Sequence, residues 1–147
     1  MFKGGVKMRR TTILAMIFFV MLVSVCTAQD QSPKAMAETF FRTLQGGKIS
    51  QAYDQLFAGS TIPQTKPQAV ETVKRQTESG LPQLGKMLGF ELIREEKFGT
   101  AVVRFVYLLK LEKSPTVWEF FFYRPKATWF LVNLMFNDQF NLLDAKQ

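Results

Sequence analysis

The chain contains no histidine, and its single cysteine, Cys26, sits close to the start. Without histidine there is no imidazole general acid or base, no Ser-His or Cys-His nucleophile pair and no His-ligated zinc. The cysteine also lies inside a segment that reads as removable, which leaves the remainder without a thiol and makes packing, not disulfides, the source of stability. Metal-ligand spacings, phosphate-cradling glycine loops and nucleophile elbows are all missing. No cofactor is implied by any of these motifs.

What is there begins with an address. Met8-Arg9-Arg10 precedes the apolar run Ile13–Val25, followed by Cys26-Thr27-Ala28 and then the polar Gln29-Asp30-Gln31. A basic start, an apolar stretch and small residues before a polar one are the three parts of a secretory signal peptide. Thirteen residues at 1.5 Å each span only ~20 Å, short of the ~30 Å hydrocarbon layer, which favours cleavage over anchoring. The expected cut follows Ala28, giving residues 1–28 as leader and 29–147 as one domain, periplasmic or secreted. Lipidation of Cys26 is the rival, opposed by Val25 where such signals want a smaller residue. Met8 is an alternative start to Met1.

Removing the leader takes Lys3, Lys7, Arg9 and Arg10 from the 19 basic residues, so 15 face 12 acidic ones, a net +3. With Lys74-Arg75 the only basic doublet left, the chain lacks the clustered footprint of a nucleic-acid or anionic-membrane binder.

Ser32-Pro33 reads as an N-cap with proline at the first helical position, and Met36, Phe40, Phe41 and Leu44 repeat at helical spacing until Gly46-Gly47, predicting a helix over 34–45. Ile49–Phe57 predicts a second helix, Gly59–Lys66 a loop, and Pro67–Gly80 a third helix turning Val70, Val73 and Thr77 inward. Leu81–Gly89 reads either as a helical turn or as a connector. From Phe90 the period becomes 2, predicting strands at Phe90–Lys97, Thr100–Leu111, Thr116–Arg124 and Thr128–Asn137 joined by short turns. The fold class is α+β: N-terminal helices packed on a curved antiparallel sheet of four or more strands.

With a four-residue turn at Glu112–Pro115, Leu111 would face Thr116. Val103, Phe105, Tyr107 and Leu109 would then share a face with Trp118, Phe120 and Phe122, joined by Trp129, Leu131 and Asn133. The other face would hold Arg104, Glu119, Tyr123, Leu134 and Phe136, with Arg104 opposite Tyr123 and Glu119 opposite Leu108. Both faces are apolar, unlike a sheet with one wet side. One therefore packs on the helices and the other meets a second subunit, giving a homodimer through the sheet, or is covered by Phe140–Lys146 folding back. Glu95-Glu96 beside Arg94 and Lys97 reads as charge protection of a strand edge.

The layout resembles the NTF2-like superfamily, the cystatin-like α+β cone with SnoaL-like and ketosteroid-isomerase-like members. The features that carry it are Ala37-Glu38-Thr39-Phe40-Phe41, the Gly-Gly turn into Ala52-Tyr53-Asp54-Gln55-Leu56-Phe57, Trp118-Glu119-Phe120 and Trp129-Phe130-Leu131-Val132, over 33–137. The resemblance implies a cone enclosing a pocket and dimerisation through the sheet. Enzymatic members use Asp, Tyr or His inside the cone, and no such set matches residue by residue here. Polar or amphipathic residues within apolar strands and helices, Tyr53, Tyr107, Trp118, Glu119 and Asn133, are the candidate ligand contacts, because burying them costs free energy unless they are paired or used. The functional expectation is a non-catalytic binding domain for a small apolar ligand or protein partner. Its alternative is a cofactor-free isomerase-like or hydrolase-like enzyme with Glu119 or Asp54 as base and a tyrosine as donor.

Overall fold

Ser32 caps the first helix as its sequence suggests, its Oγ accepting from the Ala35 amide at 3.2 Å, and Pro33 opens α1 (Pro33–Gln45). This computed structural model describes residues 31–138. The leader reading, Cys26 and the Phe140–Lys146 cover lie outside those residues. Ala37, Phe40, Phe41 and Leu44 form the buried stripe of α1. Gly47, at φ 73°, turns the chain into α2 (Ile49–Leu56), which buries Ala52, Tyr53 and Leu56. The expected loop at Gly59–Lys66 contains one short helix, α3 (Ile62–Thr65), started by Pro63 in its first turn. Helix α4 (Pro67–Gly80) buries Val70 and Thr77. The ambiguous Leu81–Gly89 segment divides: Leu81–Leu84 is a 3-10 turn, and Gly85 at φ 88° redirects the chain into β1 (Met87–Phe98).

Strands β1, β2 (Val102–Leu111), β3 (Thr116–Tyr123) and β4 (Phe130–Asn137) form an antiparallel meander in the order β1-β2-β3-β4. The sheet is open, with β1 and β4 as edges. The helices pack on one face, hereafter the inner face, around Phe40, Phe41, Tyr53, Tyr107, Trp118, Phe120, Phe122 and Leu131.

The register corrects two expectations. Leu109, not Leu111, faces Thr116. The end of β2 is claimed from its other side: the Glu112 and Lys113 amides donate to the Lys86 and Leu84 carbonyls, and Leu111 pairs with Met87. That leaves a wider β2–β3 connection, through Pro115, which has no amide to give. The slip is two residues, so every side chain keeps its face. It does change neighbours: Arg104 lies opposite Phe121, not Tyr123, and Glu119 opposite Val106, not Leu108.

The second correction is in β4. Leu131 pairs with Phe122 and Asn133 with Phe121, so Val132 is an extra residue that flips the strand's alternation. Asn133 therefore falls on the outer face instead of beside Tyr107. Leu134 and Phe136 turn inward, Phe136 stacking on Trp118 with ring centroids 4.4 Å apart.

Candidate functional site

The inner space of the sheet is filled by rings. Phe40 and Phe41 pack edge-on or tilted against Tyr53, Tyr107, Trp118 and Phe120 at centroid distances of 5.1 to 5.7 Å, the spacing at which aromatic pairs attract. Three of the five candidate ligand contacts belong to this core and are fully buried. The Tyr53 hydroxyl lies 2.6 Å from Thr77 Oγ1; because Thr77 donates its own proton to the Val73 carbonyl, Tyr53 is the donor of the pair. Trp118 Nε1 donates to Thr116 Oγ1 at 2.8 Å. The Tyr107 hydroxyl is buried without a hydrogen-bond partner. Burial pushes both tyrosines above their ordinary pKa, the Thr77 bond partly opposing this at Tyr53.

Glu119 is on the outer face. Its Oε2 takes Arg104 Nε at 2.9 Å and Nη2 at 2.7 Å, while Arg104 Nη1 donates to Glu96 Oε2 at 2.7 Å. Burial works against the Arg104 charge, but the two carboxylates outweigh it and raise its pKa. Sequence reasoning missed this pairing because the two-residue slip is what makes Arg104 and Glu119 diagonal neighbours. Asp54 is exposed on α2 and paired with Lys74 at 2.8 Å. Glu119 thus lies on the outer face and Asp54 is held by Lys74, while the carboxylates whose charge reaches Tyr107 are Glu38 and Glu95.

Of the five, Asn133 borders a groove of about 200 Å³ between α4 and the bulged edge of β4, where Val132, Asn133 and Leu134 line it in succession. Its walls are Phe57, Ile62, Val70, Val73 and Leu134, and Lys66 is the one charged residue among its described lining residues. Helix α4 buries only Val70 and Thr77, so it offers few apolar side chains to close this groove. Ser60 fixes the opposite rim, donating to the Leu131 carbonyl at 2.7 Å and accepting from the Ile62 amide at 3.1 Å. The neighbouring edge, β4, carries no charged side chain from Phe130 to Asn137, whereas the other edge, β1, carries Glu91, Arg94, Glu95, Glu96 and Lys97. Inward-facing Val70 and Val73 were legible from helical spacing; Lys66 was not, since it joins the wall only because the junction of α3 and α4 comes to lie beside β4.

A larger groove of about 480 Å³ lies between the start of α1 and the β1–β2 hairpin. It mixes Lys34, Glu95, Lys97 and Arg124 with Phe105 and Trp129, the Arg124 guanidinium standing 4.7 Å over the Trp129 ring. It opens at Ser32, next to where the described residues begin. The described residues contain no cluster of three or more Asp, Glu, Cys or His that could hold a metal, and no helix long and apolar enough to cross a membrane.

No family model, curated protein or solved structure matches the chain.

Proposed function

We propose that this is an exported, NTF2-like, non-catalytic binding domain that seats a small apolar carboxylate in the groove between α4 and β4. The observation that carries the reading is the contrast between an inner sheet face filled with rings and an apolar groove left open at its side, with one lysine as the only charge among its described lining residues. A volume of about 200 Å³ is below the ~300–1,000 Å³ typical of drug-sized ligands, so the occupant is short, on the scale of a medium acyl chain. Its tail would replace water against Phe57, Val70 and Leu134, and its carboxylate would meet Lys66.

Octanoate titrated into the 15N-labelled chain tests this. The expected result is saturable binding at about 1 mM or tighter, with shifts confined to Val70, Val73 and Val132–Leu134. Val70→Trp, which fills the groove, should abolish it. Lys66→Met should weaken octanoate while leaving octanol unchanged. Non-saturable shifts, or shifts spread over the surface, would sink the reading.

A second copy docking on the outer face is the second reading, favoured by Phe98, Tyr123 and Met135, which stand exposed there. Sedimentation of the exported chain decides it: a dimer broken by Phe98→Glu with Met135→Glu supports it, and a monomer at all concentrations ends it.

A further inference from the structure

Among the described residues, the groove between the start of α1 and the β1–β2 hairpin is lined by the charged side chains Lys34, Glu95, Lys97 and Arg124. Three of them are already committed: Lys97 pairs with Glu95 at 3.5 Å, and Lys34 with Glu38 at 3.9 Å. Arg124 is different. Its guanidinium stands 4.7 Å from the centre of the Trp129 ring, and its side chain's one hydrogen bond among the described residues runs from Nη2 to the Thr100 carbonyl at 3.4 Å. A guanidinium carries five N–H donors in a fork that matches a carboxylate, and no described carboxylate takes up that fork. The fork is also held in place, because the Arg124 amide donates to the Ala101 carbonyl at 2.8 Å while the indole supports the other end of the side chain.

We propose that this groove is a second binding site, which takes an aromatic monocarboxylate with Arg124 as its anchor. Three observations converge on that ligand. The volume, about 480 Å³ against about 200 Å³ for the groove beside α4, falls within the ~300–1,000 Å³ of ligand-sized sites. The walls bring together two rings from separate parts of the sheet, Phe105 of β2 and Trp129 just ahead of β4, with Val103 and Pro33 between polar rims. Rings pack on rings edge-on or offset, and a rigid aromatic body loses less freedom on binding than an acyl chain. Charge fixes the rest: with the Lys97–Glu95 and Lys34–Glu38 pairs cancelling, one positive charge is left over, which matches one carboxylate and not a dianion.

The two grooves share no described lining residue, so this inference stands apart from the octanoate reading. They would sort acids by shape: a short flexible chain beside Lys66 and a rigid ring beside Arg124. A cationic ring is excluded from the second site by the same guanidinium that draws the carboxylate in.

Titration of 2-naphthoate into the 15N-labelled chain, recovered from an exporting host, tests it. The chain has two tryptophans, and only Trp129 lines the groove, so the two indole N–H signals separate site from core. The expected result is a saturable shift of the Trp129 indole at about 1 mM or tighter, with the Trp118 indole unmoved. Arg124→Gln should weaken naphthoate at least ~10-fold, as loss of a charge-assisted contact gives, while leaving the neutral 2-naphthylmethanol unchanged. An unmoved Trp118 indole in that variant shows that it has folded. Thr100→Tyr, which narrows the groove from the hairpin turn, should weaken both ligands and gives a second reading should Arg124→Gln fold poorly. Val70→Trp should leave naphthoate binding intact. A Trp129 signal that never saturates overturns the proposal. So does naphthoate affinity indifferent to Arg124→Gln, or abolished by Val70→Trp, since the acid would then sit beside α4.

Discussion

Replacing Arg104 by methionine should be among the most damaging single changes to this chain outside the ring core. The Glu119 side chain is 4% exposed and its Oε2 receives two Arg104 donors at 2.7 and 2.9 Å. The Arg104 side chain is 19% exposed, is shared with Glu96 at 2.7 Å, and stands 5.6 Å from the Phe121 ring. An exposed ion pair contributes at most ~1 kcal/mol, whereas removing one partner of a buried pair costs ~3–5 kcal/mol, because the remaining charge is left desolvated and unpaired. The geometry belongs to the second class, so Arg104→Met should lower stability by ~3–5 kcal/mol. With a urea m-value of ~1–3 kcal/mol/M for a domain of this size, the unfolding midpoint should fall by at least ~1 M. The double variant Arg104→Met with Glu119→Leu removes both charges and should recover most of that loss. Urea unfolding followed by tryptophan fluorescence, with Glu119→Leu alone completing the cycle, measures all four states. A single-variant cost under ~1 kcal/mol would refute burial of the pair. Additive costs would refute the coupling.

Tyr107→Phe should stabilise the chain by ~1 kcal/mol, since it removes a buried hydroxyl that has no partner; a lower midpoint on thermal unfolding would reveal a partner for it. The same substitution has a signature in alkali. Burial raises the folded pKa of Tyr107, so above pH 10 the unfolded state loses this proton while the folded state keeps it, and stability falls by ~1.4 kcal/mol per pH unit from this group. The slope of stability against pH above 10 should therefore be shallower in Tyr107→Phe by about that amount, and parallel slopes would contradict the burial. Ser60→Ala strips the Leu131 carbonyl and the Ile62 amide of their shared partner and should cost ~1–3 kcal/mol by urea unfolding; an unchanged midpoint would show the groove rim does not depend on it.

How far the sequence carried depended on whether a feature was local. The cap at Ser32, the stop at Gly46-Gly47 and the apolar spacing of Phe40, Phe41 and Leu44 act within a turn or two of chain, and they delimit α1 unaided. The change from period 3.6 to period 2 near Phe90 likewise announces the passage from helices to sheet, and turn residues every ten positions or so imply neighbouring antiparallel strands. Charge at Glu95 and Glu96 marked β1 as an edge for the same reason: it is a property of one strand. Absence of histidine and of motif spacings is equally local, and it excluded whole classes of chemistry before any fold was known.

Register and bulges are not local. Where Thr116 pairs depends on which of two strands captures the amides of Glu112 and Lys113, and nothing within β2 or β3 decides between them. The extra residue at Val132 interrupts the pairing of β4 with β3, and it alone moved Asn133 from the core side to the outer face. Both events redistribute side chains among neighbours without changing any periodicity that a linear reading can detect. Helices, strand order and the exclusion of histidine chemistry were thus determined by the sequence by itself, because short-range backbone preference and side-chain inventory suffice for them. The filling of the inner sheet face by rings, the union of Arg104 with Glu96 and Glu119, and the groove at Lys66 were decided only by the tertiary structure, because each depends on how far apart, and in what register, separate elements come to rest.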